Sequence, residues 1–282
     1  MEHNKTIVIV GATGMLGSML QQCLVGYTVV GLTHADIDIT QLDTVRRVLS
    51  SYQPDIIINA AAFTAVDDCE TKFDLAMAVN GTGPSYLAQV AKELDAWLIH
   101  YSTDYVFAGD QSTGYSEDYP TIQPVNAYGQ SKAAGEVAIQ QLGDDRWKKY
   151  YIIRTAWLYG PGGKNFVDTM LALAKTHPTL TVVNDQHGSP TYTKDLAKAT
   201  RYLIEHNLPA GVYHVTNAGS CTWYEFATTI FKLTNTSVTV QPCTSAEFPR
   251  PATRPHYSIL LNTKLPPARP WADALADYLL QS

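Results

Sequence analysis

An apolar run at residues 6–10 leads straight into Gly11-Ala-Thr-Gly-Met-Leu-Gly17, and a helix-like stretch follows from Met15. This junction restricts the fold more than any other segment. Glycines at 11, 14 and 17 let the chain turn tightly, bring backbone N–H groups against a pyrophosphate at a helix start, and pack that helix on a sheet. The spacing is G-x-x-G-x-x-G, one residue off the best-known dinucleotide fingerprint. Its position between an apolar strand and a helix favours a nucleotide site over a purely structural turn.

The first half repeats this alternation. Runs at 7–10, 28–32, 56–58, 97–100 and 151–153 read as buried strands, and 15–24, 42–51, 76–94 and 131–142 read as helices between them. The pattern predicts an α/β fold, a Rossmann-type doubly wound parallel sheet covered on both faces. Beyond residue 155 the elements shorten, broken by Gly160-Pro-Gly-Gly163, Gly188-Ser-Pro190 and the proline-rich stretch 249–255. Helices at 166–175, 194–205 and 224–233 interleave there with strands at 180–183, 211–215 and 237–240. We therefore expect a dinucleotide-binding domain over 1–155. A smaller C-terminal, mainly substrate-binding lobe over 156–282 should return some elements to the main sheet.

With 282 residues, 45% hydrophobic and 16% charged, the chain is globular and can bury a sizeable core. A net charge of −6 argues against a nucleic-acid binder, while a local pocket for a phosphorylated small molecule stays open. The charged opening segment 1–5 has no apolar stretch for export or membrane spanning, so a cytoplasmic protein is expected. Cys23, Cys69, Cys221 and Cys243 lie far apart, as ordinary thiols in a reducing compartment would. The eight histidines form no ligand pattern, and no catalytic metal is predicted.

Chemistry concentrates around Tyr128-Gly-Gln-Ser-Lys132, which follows Ser102-Thr103-Asp104. A tyrosine and a lysine at i and i+4 share one helix face, so the ammonium is expected to sit beside the phenol and lower its pKa. A surface pair without chemistry is the plain alternative; the glycine turn, the hydroxyl cluster and their order along the chain favour catalysis. The strand at 28–32 should end near an adenosine ribose. Thr33, His34 and Ala35 offer no acid there and one potential cation, which favours NADPH and leaves NADH open. Asp38 and Ile39 come next, Asp38 as an adenine contact or a helix cap. The small residues of Asn59-Ala-Ala-Ala62 permit close approach of a cofactor, or tight helix–strand packing.

The motifs G-A-T-G-M-L-G (11–17), D-I-T (38–40), N-A-A-A-F-T-A-V-D (59–67) and H-Y-S-T-D-Y-V-F (100–107) recur in a known family, as do N-A-Y-G-Q-S-K (126–132), R-T-A-W-L-Y-G (154–160), N-D-Q-H-G-S-P-T (184–191) and R-P-H-Y-S-I-L-L-N-T (254–263). Almost end to end, the chain resembles the extended short-chain dehydrogenase/reductases, and within them the dTDP-4-dehydrorhamnose reductases. The resemblance implies reduction of the C4 ketone of dTDP-4-dehydro-L-rhamnose by a nicotinamide cofactor, giving dTDP-L-rhamnose for cell-surface polysaccharide. It implies that Tyr128 donates the proton, that Lys132 lowers the tyrosine pKa and holds the nicotinamide ribose, and that Thr103 bonds the carbonyl oxygen.

Cofactor contacts implied in the same way fall on Gly11, Thr13, Gly14, Met15, Leu16 and Gly17 in the turn, and on His34, Asp38 and Ile39 at the adenosine. Ala60, Ala61, Ala62, Phe63 and Thr64 would line the cofactor, with Tyr101, Tyr128 and Lys132 toward the nicotinamide. Thr103, Asp104, Trp157 and Arg254 would meet the dTDP-sugar. Trp157 could equally be a core indole and Arg254 a surface cation. Glu117 and Asp118 read as loop acids. The resemblance leaves a homodimer and a bound magnesium open. An NDP-sugar epimerase or dehydratase of the same superfamily, and a regulatory subunit that keeps the nucleotide fold without catalysis, are the competing readings.

Overall fold

The structure, a computed structural model, describes residues 5–143 and 147–281; segment 1–4 of the charged opening lies outside the described residues. Five strands, β1 (Thr6–Val10), β2 (Thr28–Leu32), β3 (Ile56–Asn59), β4 (Trp97–Thr103) and β5 (Tyr150–Thr155), join the strand Gly211–His214 in one sheet. Every pairing within it is parallel, and the spatial order is Gly211–His214, β5, β4, β3, β1, β2.

Alternate residues on each strand point to opposite faces, and here both faces are covered. Ile7, Ile9, Ile58, Ile99 and Ile153 pack with Leu20 and Leu196 on one side. Val8, Val10, Ile57, Leu98 and Ile152 pack with Val45, Leu87 and Ile139 on the other. Each such side chain contributes roughly 1.5–3 kcal/mol of burial. The chain steps from β1 outward to β2, then back past β1 to β3. Strand order thus reverses between β1 and β3, where open α/β sheets carry their ligand crevice.

The helices depart from the sequence pattern at two informative places. The one predicted over 131–142 starts earlier, at Ala127 (Ala127–Leu142), because the Asn126 side chain accepts from Gly129 N at 2.8 Å and caps it. Tyr128 therefore sits in the first turn. The single helix predicted over 76–94 is instead Phe73–Ala76, a wide π-helical turn Met77–Thr82, and Gly83–Glu93. The turn presents Asn80, whose amide accepts from Phe63 N (2.8 Å) and donates to Phe63 O (2.9 Å) and Ser131 Oγ (3.0 Å). Tertiary bonds, invisible to periodicity, open the helix there. Helices Val66–Thr71 and Trp271–Leu279 fall in segments without a predicted element.

Beyond β5 a second core forms around Tyr159, Tyr192, Phe226 and Tyr278. Its strand Thr179–Val183 pairs with Thr239–Cys243, where a strand at 237–240 was predicted. Helix Thr193–His206 leaves this lobe to pack on helix Met15–Cys23, and Gly211–His214 completes the main sheet. Among the described residues no helix is long and apolar enough to cross a membrane.

Candidate active site

Gly11 has φ +84°, and a Cβ there would lie 2.6 Å from Ala61 N, so β1 and the loop after β3 approach as only glycine allows. A Cβ at Gly17 would lie 2.8 Å from Ala12 Cα, which fixes the helix against the turn. Gly14 caps the helix without any side-chain bond, leaving its first N–H groups for an anion. A groove of about 380 Å³ opens here, lined by Gly11, Thr13 and Gly14 on one side and Ala60, Ala61, Ala62 and Phe63 on the other. His34, Asp38 and Ile39 close its far end. Leu16 and Gly17 are buried beneath the turn, Met15 is half-buried beside Gly163, and Thr64 is exposed past the groove.

Sequence reading found no acid at 33–35, but the structure supplies one just beyond. Asp36 folds back so that Oδ2 accepts from Thr33 N (2.8 Å) and Thr33 Oγ1 (2.7 Å). Asp38 caps a turn, accepting from Thr40 N (2.9 Å) and Oγ1 (2.7 Å), rather than the helix that begins at Leu42. These bonds hold both carboxyls below the usual range, and the Asp38 charge acts on the exposed His34.

At the end of β4, Thr103 Oγ1 donates to Asp104 Oδ1 at 2.9 Å and accepts from Tyr105 N at 3.2 Å. Tyr128 reaches this point from across the cleft, among Phe63, Cys69, Ala76 and Ala127. Burial raises its phenol pKa, the Asp104 charge raises it further, and the Thr103 hydroxyl acts the other way. The expectation that Lys132 lowers the tyrosine pKa is thereby corrected. The lysine shares the helix face, but its stem runs toward the sheet, where Nζ donates to Tyr101 O at 2.6 Å and lies 3.5 Å from His100 Nε2. Burial lowers the Lys132 pKa to about 8, opposed by Glu136. His100 is held neutral by burial and by the Lys132 charge, and Asn59 Nδ2 lies 3.0 Å from its Nδ1.

Asp104 is buried, its pKa pushed up to about 6 by desolvation against the opposing pull of the Ser258 and Thr103 hydroxyls; Ser258 stays outside hydrogen-bonding geometry, so Oδ2 is left without a well-formed bond among the described residues. A buried carboxylate oxygen without a donor is costly, and a ligand hydroxyl would satisfy it. Tyr101 contributes its carbonyl to Lys132 while its phenol shares a 2.7 Å bond with Thr200 in the core, which takes the side chain away from the expected cofactor contact. Trp157, just past β5, is half-buried against Trp223. Arg254 is no free surface cation: Nη1 donates to Asp67 Oδ1 and Ala252 O, both at 2.7 Å. Glu117 binds Thr263 through its N (3.2 Å) and Oγ1 (2.7 Å), and exposed Asp118 pairs with Lys264 at 2.9 Å, so both are structural acids.

The arrangement offers a proton donor, a hydroxyl for an oxyanion and a buried carboxyl beside a dinucleotide groove. The glycine cradle, the open helix start and the orphan Asp104 oxygen all fit a nicotinamide dinucleotide with a hydroxyl-bearing substrate. Asp36, Asn80 and His100, which the structure brings beside these residues, were not singled out by sequence reading, because single polar residues carry no local signal.

A family model described as the RmlD substrate binding domain matches residues 5–282. The spore coat polysaccharide biosynthesis protein SpsK of Bacillus subtilis is 44% identical over 279 residues, covering 97% of this chain and 96% of its own. A dTDP-4-dehydrorhamnose reductase of Streptomyces griseus is 43% identical over 282 residues, covering 96% and 91%. The crystal structure of the dTDP-4-dehydrorhamnose reductase from Bacillus anthracis in complex with NADP matches with a TM-score of 0.95 at 39% identity, covering 99% of this chain and 100% of that one.

Proposed function

The chain belongs to the family of the RmlD substrate binding domain, and from that membership we propose that it reduces the C4 ketone of dTDP-4-dehydro-L-rhamnose with NADPH, giving dTDP-L-rhamnose. One observation carries the reading at the level of chemistry: the Tyr128 phenol meets the Thr103 hydroxyl with Asp104 beside them, and Phe63, which lines the nucleotide groove, packs in the same cluster as Tyr128.

The raised pKa keeps Tyr128 protonated at neutral pH, which is the state a proton donor to a forming alkoxide requires. With substrate bound, Thr103 turns its single hydroxyl proton from Asp104 Oδ1 to the carbonyl oxygen and steadies the charge that develops on it. When bound, NADPH supplies the hydride. A bound dinucleotide would be held by the N–H groups of Met15 and Leu16 at its pyrophosphate, by Asp38, Ile39 and His34 at its adenosine, and by Ala62 and Phe63 along the remainder. Lys132, largely charged at pH 7 with a pKa of about 8, serves the nicotinamide ribose. Asp104 takes a sugar hydroxyl, Trp157 a face of the sugar nucleotide and Arg254 its diphosphate. The four free cysteines support a cytoplasmic enzyme, acting as a monomer or a homodimer.

The test is stoichiometry. Incubation with dTDP-4-dehydro-L-rhamnose and NADPH should release one NADP⁺ per dTDP-L-rhamnose formed. Sugar conversion without net nicotinamide oxidation would indicate an epimerase or dehydratase instead.

A further inference from the structure

Trp157 holds a backbone conformation that its side chain does not favour. Its φ is +46°, in the left-handed region, where a residue other than glycine is strained by roughly 1–3 kcal/mol and persists only when its surroundings over-determine it. Those surroundings are specific. The indole of Trp223 lies parallel to that of Trp157, ring centroids 3.5 Å apart and planes within 8°. Any Cβ at Gly188 would overlap the Trp157 ring, so the edge of the indole is seated on bare backbone.

Trp223 is itself fixed from three directions. It is the first residue of helix Trp223–Leu233, whose start is set by a reciprocal capping box between Thr222 and Glu225. Its Nε1 donates to Gln186 Oε1 at 3.2 Å, and Phe166 packs against it with centroids 4.6 Å apart. Trp157 meanwhile packs against two cores, the one around Phe107 and Leu260 near the catalytic strand and the one around Tyr159 and Phe226 in the lobe. It stands two residues beyond Thr155, which pairs directly with Thr103.

We propose that Trp223 is a positioning residue for the sugar-nucleotide site: by stacking on one face of Trp157 it holds the strained indole so that the rest of that side chain meets the substrate. This rests on the reading of Trp157 as a substrate contact. Trp223 acts through Trp157, affecting the dTDP-sugar and leaving the dinucleotide groove alone.

The experiment uses the full chain as wild type, Trp157→Leu, Trp223→Leu and the milder Trp223→Phe. Two stacked indoles give an exciton couplet in circular dichroism, which should be present in wild type and lost in all three variants. KM for the dTDP-sugar should rise about three- to tenfold in Trp223→Leu and about twofold in Trp223→Phe, in keeping with one aromatic contact, while KM for NADPH stays unchanged. Loss of the couplet with an unchanged sugar KM in Trp223→Phe would overturn the proposal even if Trp223→Leu folds poorly. A raised sugar KM in Trp157→Leu alone would keep the Trp157 contact and discard its support by Trp223. An unchanged sugar KM in Trp157→Leu would remove both.

Discussion

Asp104 lies beside Tyr128, and burial shifts both groups toward their neutral forms. The Asp104 carboxyl is raised from its ordinary value to about 6, so its ionised form is disfavoured in the folded protein. The stability it contributes is fully present below its unfolded pKa of ~4 and is lost as pH rises through about 6. Asp104→Asn should therefore become more stable than wild type between pH 4 and 7, by up to about 3 kcal/mol, while sugar turnover falls. Urea unfolding at several pH values measures the difference; parallel stability curves for the two proteins would contradict it.

His34 permits a second test. The Asp38 carboxylate interacts with the exposed His34, so on the proposed reading the imidazole would attract a 2′-phosphate only weakly. His34→Arg should raise the NADPH over NADH preference in kcat/KM by about tenfold, consistent with a charge-assisted bond of ~1.5 kcal/mol. The spacing of Tyr128 and Lys132 was readable because helix geometry fixes it locally. The direction of the lysine stem and the fold-back of Asp36 were not, since each depends on partners that only the assembled structure supplies.

The helix Ala127–Leu142 carries Tyr128 and Lys132 and is anchored farther along by Glu136. Arg154 on β5 donates to Glu136 from Nε (3.0 Å) and Nη2 (2.7 Å), both side chains being almost fully buried, while its guanidinium lies 4.9 Å over Phe107. Removing one member of such a pair strands the other. Glu136→Ala should cost about 3–5 kcal/mol in denaturant unfolding, whereas an exposed pair such as Lys72–Asp68 should cost under ~1 kcal/mol when broken.

The wide turn Met77–Thr82 joins that helix to the cofactor loop through Asn80. Asn80→Ala deprives the Phe63 N–H of its partner and leaves the Phe63 C=O only the weak Cys69 thiol, so stability should drop by about 1–3 kcal/mol and NADPH should bind more weakly, as calorimetric titration would record. The segment 76–94 reads as one helix although Asn80-Gly-Thr-Gly-Pro84 interrupts its apolar positions, a local breaker signal that could have marked this turn. The early start at Ala127, likewise, could have been found from Asn126, an ordinary capping residue three positions before Gly129.

The sheet order places β1, β3 and β4 side by side, so the glycine turn, the small-residue loop and Thr103 emerge at one edge, and the helix after β4 brings Tyr128 to them. That convergence follows from strand–helix alternation and right-handed crossovers, both readable from the chain. The return of Gly211–His214 to the sheet was foreseen as a tendency of the lobe. The parallel pairing of Thr179–Val183 with Thr239–Cys243 was not, because nothing local to either strand names its partner. On the proposed reading, the protein is one frame that holds the Tyr128 phenol against a dinucleotide groove. Oxidation of NADPH in the presence of dTDP-4-dehydro-L-rhamnose, followed for wild type and Tyr128→Phe with NADPH binding measured alongside, tests this directly. Loss of turnover by at least about a hundredfold in the variant, with NADPH still bound, is the predicted result. Near-wild-type turnover by Tyr128→Phe would contradict the assignment of the proton donor on which the account rests.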